Sequence, residues 1–169
     1  MAEAVKGIDI IWLYRILKDA QTETAFKVAF QTENGFSETR DADATATKDG
    51  SIRLPGELET EGSMTSILAK GDSYIKRLRD ALRDGEKVEF WEINKAEEGL
   101  TDNVGKFAGT YYQGYITEYT RDSNAEDLVE VSLSYGMEGT GQDGYCTLTE
   151  DQAEVVQYAF RDTTIAAAE

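Results

Sequence analysis

The 169-residue chain is strongly acidic, with 17 Lys and Arg residues against 33 Asp and Glu residues and a formal net charge of −16. An acidic surface repels phosphates, so this composition excludes the basic surface by which most proteins bind nucleic acids. The absence of histidine removes the commonest general base, the serine triad and most zinc sites. Carboxylate-only chemistry stays formally open. A hydrophobic content of 40% can supply a substantial core, and we expect a single domain over residues 1–169.

The single cysteine and the N-terminal residues indicate in which cellular compartment the protein is expected. Cys146 has no partner for an intramolecular disulfide, which fits assembly in a reducing compartment. No His, Lys or Arg lies near it in sequence to activate the thiol, so we expect Cys146 to be buried and inert. Residues 1–7 lack a signal-peptide pattern, and no apolar run is long enough to span a bilayer. We therefore expect no membrane partner.

The first predicted strand covers Ile8 to Lys18, where apolar residues occupy both parities. This pattern is typical of a strand buried on both faces, with a short helix as the weaker alternative. Phe26, Val28 and Phe30 then alternate with Lys27, Ala29 and Gln31, which predicts a second, half-buried strand.

A polar arm follows this strand. The segment Ser37–Ser51 contains no Val, Ile, Leu, Met, Phe, Trp or Tyr, so it cannot bury enough apolar surface to fold onto the core by itself. It is either a solvated loop or an arm ordered by a neighbouring subunit. Its aspartates resemble a calcium loop, but Ala46 stands where the turn glycine belongs and Ile52 where the bidentate glutamate belongs.

The stretch from residue 52 to residue 66 has a period of two, which predicts a strand with one apolar and one acidic face. The apolar face would contain Ile52, Leu54, Leu58 and Met64, and the acidic face Glu57, Glu59 and Glu61. Pro55 and Gly56 predict a turn or, alternatively, a kink in a continuous strand. Glutamates two apart on a strand form a row instead of a facing catalytic pair. They are therefore solvent-exposed or form a wall facing a channel.

The clearest helix is predicted over Asp72–Arg83. Asp72 or Ser73 can cap its N-terminus, and Gly85 fits the position after its C-terminus. The residues Ile75, Leu78 and Leu82 form an apolar stripe, which we expect to pack on a sheet. Its basic face is either solvated or docked on carboxylates of a neighbouring subunit.

Three further strands are predicted after the helix. Lys87–Ile93 has apolar residues on both faces, and Phe107–Thr120 and Val129–Tyr135 are expected to pair as a β-hairpin. A short strand is predicted at residues 145–148, and Thr149–Gln152 matches a capping box that predicts a short helix. The sum is a mainly β (α+β) fold: an antiparallel β-sandwich with one flanking helix.

The long predicted strand carries tyrosines at positions 111, 112, 115 and 119. Tyrosines on a strand serve more often in a core or an interface than as a sugar-stacking platform. They nevertheless leave open a second function, an acidic β-sandwich binding module for carbohydrate or protein partners. No Walker loop or dinucleotide fingerprint is present, so we expect neither a cofactor nor an enzymatic activity.

Several segments, taken in order, resemble one known family. These segments are residues 1–9, 46–56, 69–72, 88–93, 112–117 and 123–130. Each is weak alone, but together they span nearly the whole chain. The chain resembles the major tail tube proteins of long, flexible-tailed (siphovirus-type) phages of Gram-positive bacteria. A secretion-system tube homologue, which shares the fold, is a further alternative.

The resemblance implies a structural virion protein, made in the host cytoplasm, that assembles into homo-hexameric rings. The inner sheets of six subunits would join into a continuous β-barrel, and rings would stack into the tail tube, the conduit for DNA ejection. Tape-measure and tail-end proteins are the other partners that it implies. The family's long inter-ring loop is best matched by residues 34–50. Its expected contact residues are Arg40, Asp41, Asp43, Thr45, Thr47, Lys48 and Asp49.

A tube of this kind gives the acidic composition a role. A negative lumen repels phosphates, so DNA would pass without specific binding. We expect Glu57, Glu59 and Glu61 to line that lumen.

Overall fold

The computed structural model describes residues 2–149 together with Gln152. Within this part the chain forms one α-helix and seven β-strands. The elements are β1 (Ile10–Ile16), β2 (Gln31–Thr47), β3 (Gly50–Ile67), α1 (Ser73–Asp84), β4 (Val88–Glu98), β5 (Phe107–Asp122), β6 (Glu130–Met137) and β7 (Gln142–Cys146). Apart from Gln152, the predicted C-terminal helix lies outside the described residues.

The strands form one antiparallel sheet in the order β1-β4-β5-β6-β3-β2. The strand β7 pairs with the first part of β5, while β6 pairs with its second part, so β6 and β7 follow one another along the same side of β5. The two outermost strands of the sheet, β1 and β2, approach each other but do not pair in a β-ladder. The Gln31 side chain connects them by donating to the Trp12 carbonyl oxygen (3.0 Å) and accepting from its N–H (3.4 Å).

The sheet folds over into two layers around an aromatic core. The Tyr135 ring on β6 lies 5.4 Å from the Trp12 ring and 5.9 Å from the Tyr14 ring on β1, and it stacks on Phe90 of β4 at 4.5 Å. These strands are not neighbours of β6, so the contacts cross the core. The predicted fold class, mainly antiparallel β with one flanking helix, is confirmed.

Helix α1 forms where the capping signals place it. The Asp72 carboxylate accepts a hydrogen bond from the Tyr74 N–H at 2.8 Å, and Gly85 ends the helix with a φ of 66°. Ile75 and Leu78 are buried in the core, as is Ala81, whereas Leu82 is half-buried against it. The helix therefore closes one side of the core.

The predicted strand at residues 26–30 is wrong. Phe26 makes only an isolated bridge to Tyr14, and the chain turns at Ala29 and Phe30. Phe30 has a φ of 55°, which no strand allows. The alternation was nevertheless informative, because Phe26 and Val28 are buried while Phe30 is exposed.

Of the two alternatives at Pro55-Gly56, the turn is wrong, whereas the strand is continuous and contains a bulge. The strand β3 runs through both residues, Leu58 lies opposite Arg40, and Pro55 lies opposite Ala42, so β3 holds one extra residue. The bulge accommodates a proline that cannot donate to the ladder. Because of the bulge, the prediction that Ile52 and Leu54 share a face with Leu58 and Met64 is wrong. Ile52 and Leu54 move to the sheet face of the glutamates.

One further difference is a whole element: most of the polar arm, expected to be a solvated loop or to be ordered by a neighbouring subunit, forms β2 and pairs with β3 of the same chain. The remaining differences concern element ends. The strand β4 continues to Glu98, beyond the predicted end, and the expected loop over residues 136–144 shortens to a connection between β6 and β7. The capping box forms as predicted: the Gln152 N–H donates to the Thr149 hydroxyl at 3.3 Å, and the Thr149 N–H donates to the Gln152 side chain at 3.1 Å.

Candidate functional site: an acidic face between two open strand edges

The sheet has a polar face directed away from the core, formed by β2, β3, β6 and the second half of β5. Residues directly opposite on paired strands share a face, and on this face they are mostly Ser, Thr, Gly and Glu. Apart from the aspartates of β2, its carboxylates are Glu33, Glu57, Glu59, Glu61, Glu118, Asp122 and Glu130. No Lys or Arg lies on this face in the ladders that join the four strands, all of which are among the described residues.

The three glutamates selected from the sequence lie on this acidic face. Glu59 is opposite Thr39, and Glu61 lies between Ser37 on β2 and Gly136 on β6. All three glutamates are exposed. Glu57 stays on the same face because the two residues of the bulge both lie opposite Asp41. The acidic row is continuous up to the bulge.

Two open strand edges border the acidic face. The outer edge of β2 has no ladder partner in the described part of the chain, and β4 leaves β5 at Gly114, so the edge from Tyr115 to Asp122 is open as well. Open edges present unpaired N–H and C=O groups that pair readily with another chain. Because neighbouring strands alternate in direction, β5 of one copy would run antiparallel to β2 of another.

The β2–β3 hairpin projects beyond the body of the sheet. We call residues 40–57 the hairpin tip. All its residues are exposed except the half-buried Ala42. The seven arm residues selected from the sequence all lie on its β2 side or in its turn. Sequence reasoning missed the β3 side, where Ile52 and Leu54 are 62% and 79% exposed. Exposed aliphatic residues at the end of a polar hairpin were the available signal.

Basic side chains lie along the open edge of β5, and sequence reasoning did not select them. The Arg79 guanidinium lies 5.3 Å from the centroid of the Tyr119 ring, and the Lys87 ammonium lies 5.8 Å from that of Tyr115. Lys87 also forms an ion pair with Glu138 at 2.8 Å. This edge is therefore the basic border of an acidic sheet.

The tyrosines of β5 are mostly engaged inside the subunit. The Tyr111 hydroxyl donates to the buried Glu89 at 2.7 Å, and Glu89 accepts Arg15 Nε at 3.0 Å. Burial, with smaller contributions from nearby carboxylates, raises the pKa of Tyr112 to about 12. Tyr115 alone is substantially open, at 42%. The structure thus does not assemble the tyrosines into an open stacking platform.

Two other expectations concern chemistry. Cys146 is half-buried, less than predicted, and burial raises the pKa of its thiol. Among residues 2–149 and Gln152, no group of three or more Cys, Asp and Glu side chains is placed to hold a metal ion. No helix in that same part is long and apolar enough to cross a membrane.

Comparison with known proteins decides the family. The family model described as phage tail tube protein matches residues 4–143. The chain belongs to the phage tail tube protein family. A tail protein of Staphylococcus phage phiMR25 is 32% identical over 97% of this chain and 86% of that protein. The resemblance inferred from the sequence is confirmed, and with it the tail-tube role and the virion as its location.

Solved tail structures share the fold of this tail tube protein. The tail tube of phage SPP1 matches with a TM-score of 0.78 and 23% identity, over 94% of this chain and 91% of that one. The tail of an empty gene transfer agent particle, refined with C6 symmetry, matches with a TM-score of 0.61 and 16% identity, over 82% and 98% of the two chains. The family role is structural.

Proposed function

We propose that this tail tube protein forms rings of six identical subunits that stack into the tail tube and has no enzymatic activity. The six-fold symmetry is suggested by the gene transfer agent tail, which has the same fold. The single observation that carries the proposal is the pair of open edges on either side of a sheet face whose charged residues are all carboxylates. A single copy leaves both edges unpaired, and a closed ring pairs both.

Ring closure would join β5 of one subunit to β2 of the next. The four strands β2, β3, β6 and β5 alternate in direction, so six copies would continue one antiparallel sheet around the ring. The acidic face lies opposite the core and α1. The core layer and α1 cover the other face of these four strands. In the proposed ring that covered face would be the outer one, so the acidic face would line the lumen.

The lumen would then be lined by Glu57, Glu59 and Glu61. Carboxylates without nearby Lys or Arg repel the phosphates of DNA, so DNA would slide past without specific binding. By family resemblance, the tape-measure protein would occupy the lumen before DNA, and tail-end proteins would contact the last rings.

The hairpin tip would connect one ring to the next. It projects beyond the sheet, buries almost nothing within its own subunit and carries Ile52 and Leu54 exposed. We propose that residues 34–50 act together with residues 51–57 as the inter-ring arm. The contacts would come from Arg40, Asp41, Asp43, Thr45, Thr47, Lys48 and Asp49, with the two aliphatic residues added.

Electron microscopy of the purified protein at increasing concentration tests this function. We expect stacked tubes from the wild type, and separate rings when residues 41–56 are replaced by a two-residue turn. Normal tubes from that variant would contradict the inter-ring role of the arm. A wild type that stays monomeric and binds glycans on an array would instead support the binding-module alternative.

A further inference from the structure

The border between two subunits in the proposed ring contains a basic side chain with a fixed position. Helix α1 packs against β5, and Arg79 lies over the ring of Tyr119. Tyr119 is opposite the buried Leu133, which places the ring and the guanidinium on the core side of the sheet. Arg79 forms no ion pair with a carboxylate of the described residues. The Arg79 guanidinium therefore lies beside the open edge of β5 without an ion-pair partner among the described residues.

The opposite border, the edge of β2, offers one carboxylate on the same side of the sheet. The core-side residues of β2 between its first bulge and the hairpin tip are Asn34, Phe36 and Glu38, each opposite a core-side residue of β3. Glu38 lies opposite the buried Thr60 but is itself exposed. Like Arg79, it forms no ion pair within residues 2–149 and Gln152.

An exposed aromatic ring lies next to this carboxylate. Phe36 is 40% exposed, although its ring lies 5.6 Å from Tyr112 and 6.3 Å from Trp12. A neighbouring subunit that pairs with the β2 edge would cover Phe36 and exclude water around Glu38. Electrostatic attraction between charges strengthens as water is removed, provided that each charge has its partner.

We propose that Arg79 of each subunit forms a salt bridge with Glu38 of the next subunit around the ring. The proposal rests on the ring closure proposed above. Strands in a closed barrel are tilted, so the level of contact on β2 shifts along the strand from Asn34, the residue level with Tyr119 in its own sheet. The proposed pair requires this shift to be four residues towards the hairpin tip, from Asn34 to Glu38.

The pair gives the acidic subunits a specific lateral contact. Copies with a net charge of −16 repel one another in general, so opposite charges at one border favour the correct edge-to-edge arrangement. The stacking of Arg79 on Tyr119 fixes the guanidinium before association, which lowers the entropy lost on pairing. Arginine suits this position because its planar guanidinium both stacks and binds a carboxylate at two points.

Charge reversal at each position tests the pair. Arg79→Glu and Glu38→Arg each place like charges together, and each should raise the protein concentration at which rings appear by at least about tenfold, measured by analytical ultracentrifugation and electron microscopy. The double variant Arg79→Glu/Glu38→Arg restores the pair in reverse and should assemble within about threefold of the wild-type concentration.

Two controls carry the same changes in charge elsewhere. Lys76→Glu alters an exposed helix residue that pairs only with Asp80 in the described chain, and Glu97→Arg alters the exposed end of β4. Both should assemble at near wild-type concentrations. Circular dichroism of each variant at low concentration confirms that its monomer is folded.

The outcomes separate this inference from the proposed function. If the wild type forms rings but the single variants assemble normally, or the double variant fails to recover, the Arg79–Glu38 pair is wrong and the ring remains. If the wild type itself never associates, the ring and the pair are both contradicted.

Discussion

The two halves of strand β3 differ in burial. Met64, in the body, is fully buried, whereas Leu54, at the hairpin tip, is 79% exposed on the same strand. In the body, the strands are stabilised by side chains that pack in the core and against helix α1. The tip is a two-stranded ribbon held by cross-strand hydrogen bonds alone, an arrangement that is marginally stable in water. We therefore expect the body to be stable by itself and the tip to be stabilised by a partner.

The largest expected effect comes from the centre of the body. Tyr135→Ala removes a ring that contacts Trp12, Tyr14 and Phe90, and it should lower the free energy of unfolding by about 3–5 kcal/mol. Urea unfolding of the monomer measures this. A loss below about 1 kcal/mol would mean that the two layers do not meet at this ring.

A smaller effect tests how the Tyr135 ring packs on Gly62, its directly opposite residue on the paired strand β3. A Cβ on Gly62 would lie 2.3 Å from the Tyr135 ring, so Gly62→Ala should destabilise the body by about 1–3 kcal/mol. The control is Gly144→Ala on β7, where a Cβ would meet nothing within 4 Å. If both substitutions have equal effects in urea unfolding, the packing at Gly62 is looser than described.

Alkaline pH tests the buried tyrosines of the body. Burial raises the pKa of Tyr14, Tyr135 and Tyr112, the last to about 12, above the ordinary value of 10.0. Their neutral forms are favoured by folding, so stability is fully present below pH 10 and falls as pH rises above it. Thermal unfolding between pH 8 and about pH 11 should show this fall. Tyr14→Phe should reduce its slope by up to about 1.4 kcal/mol per pH unit, and an unchanged slope would contradict the burial of Tyr14.

The smallest effect on the monomer belongs to the tip. The double variant Ile52→Ser/Leu54→Ser should change the unfolding free energy by less than about 0.5 kcal/mol, because both side chains are exposed in the monomer. The same variant should weaken tube formation, measured by sedimentation, while rings persist. Tubes that form as readily as wild type would remove these two residues from the inter-ring contact.

The contrast between body and tip also marks how far the sequence predicts the fold. Helix α1, both faces of β4 and the β5–β6 hairpin follow from periodicity and capping residues, because each buries its apolar stripe locally. The segment 37–51 gave no strand signal, since its pairing with β3 depends on hydrogen bonds and not on buried side chains. The strand predicted at residues 26–30 shows the opposite error, a strand signal without a strand. Alternation of apolar and polar residues does not reveal the positive φ of Phe30.

The candidate site was predictable only in part. The period-two pattern placed Glu57, Glu59 and Glu61 together on one face of β3. That pattern did not reveal the bulge at Gly56-Glu57, which moves Ile52 and Leu54 to the same face. The open edges of β2 and β5 could not be read from either strand alone, because an edge is defined by the order of all strands in the sheet.

The most direct test of the central claim is hydrogen exchange of residues 40–57 and of the body strands, compared between the monomer and the assembled tube. We predict that the tip amides exchange rapidly in the monomer and become protected in the tube, while amides around Met64 and Tyr135 are protected in both. Tip amides already protected in the monomer, or still exchanging freely in the tube, would contradict the account.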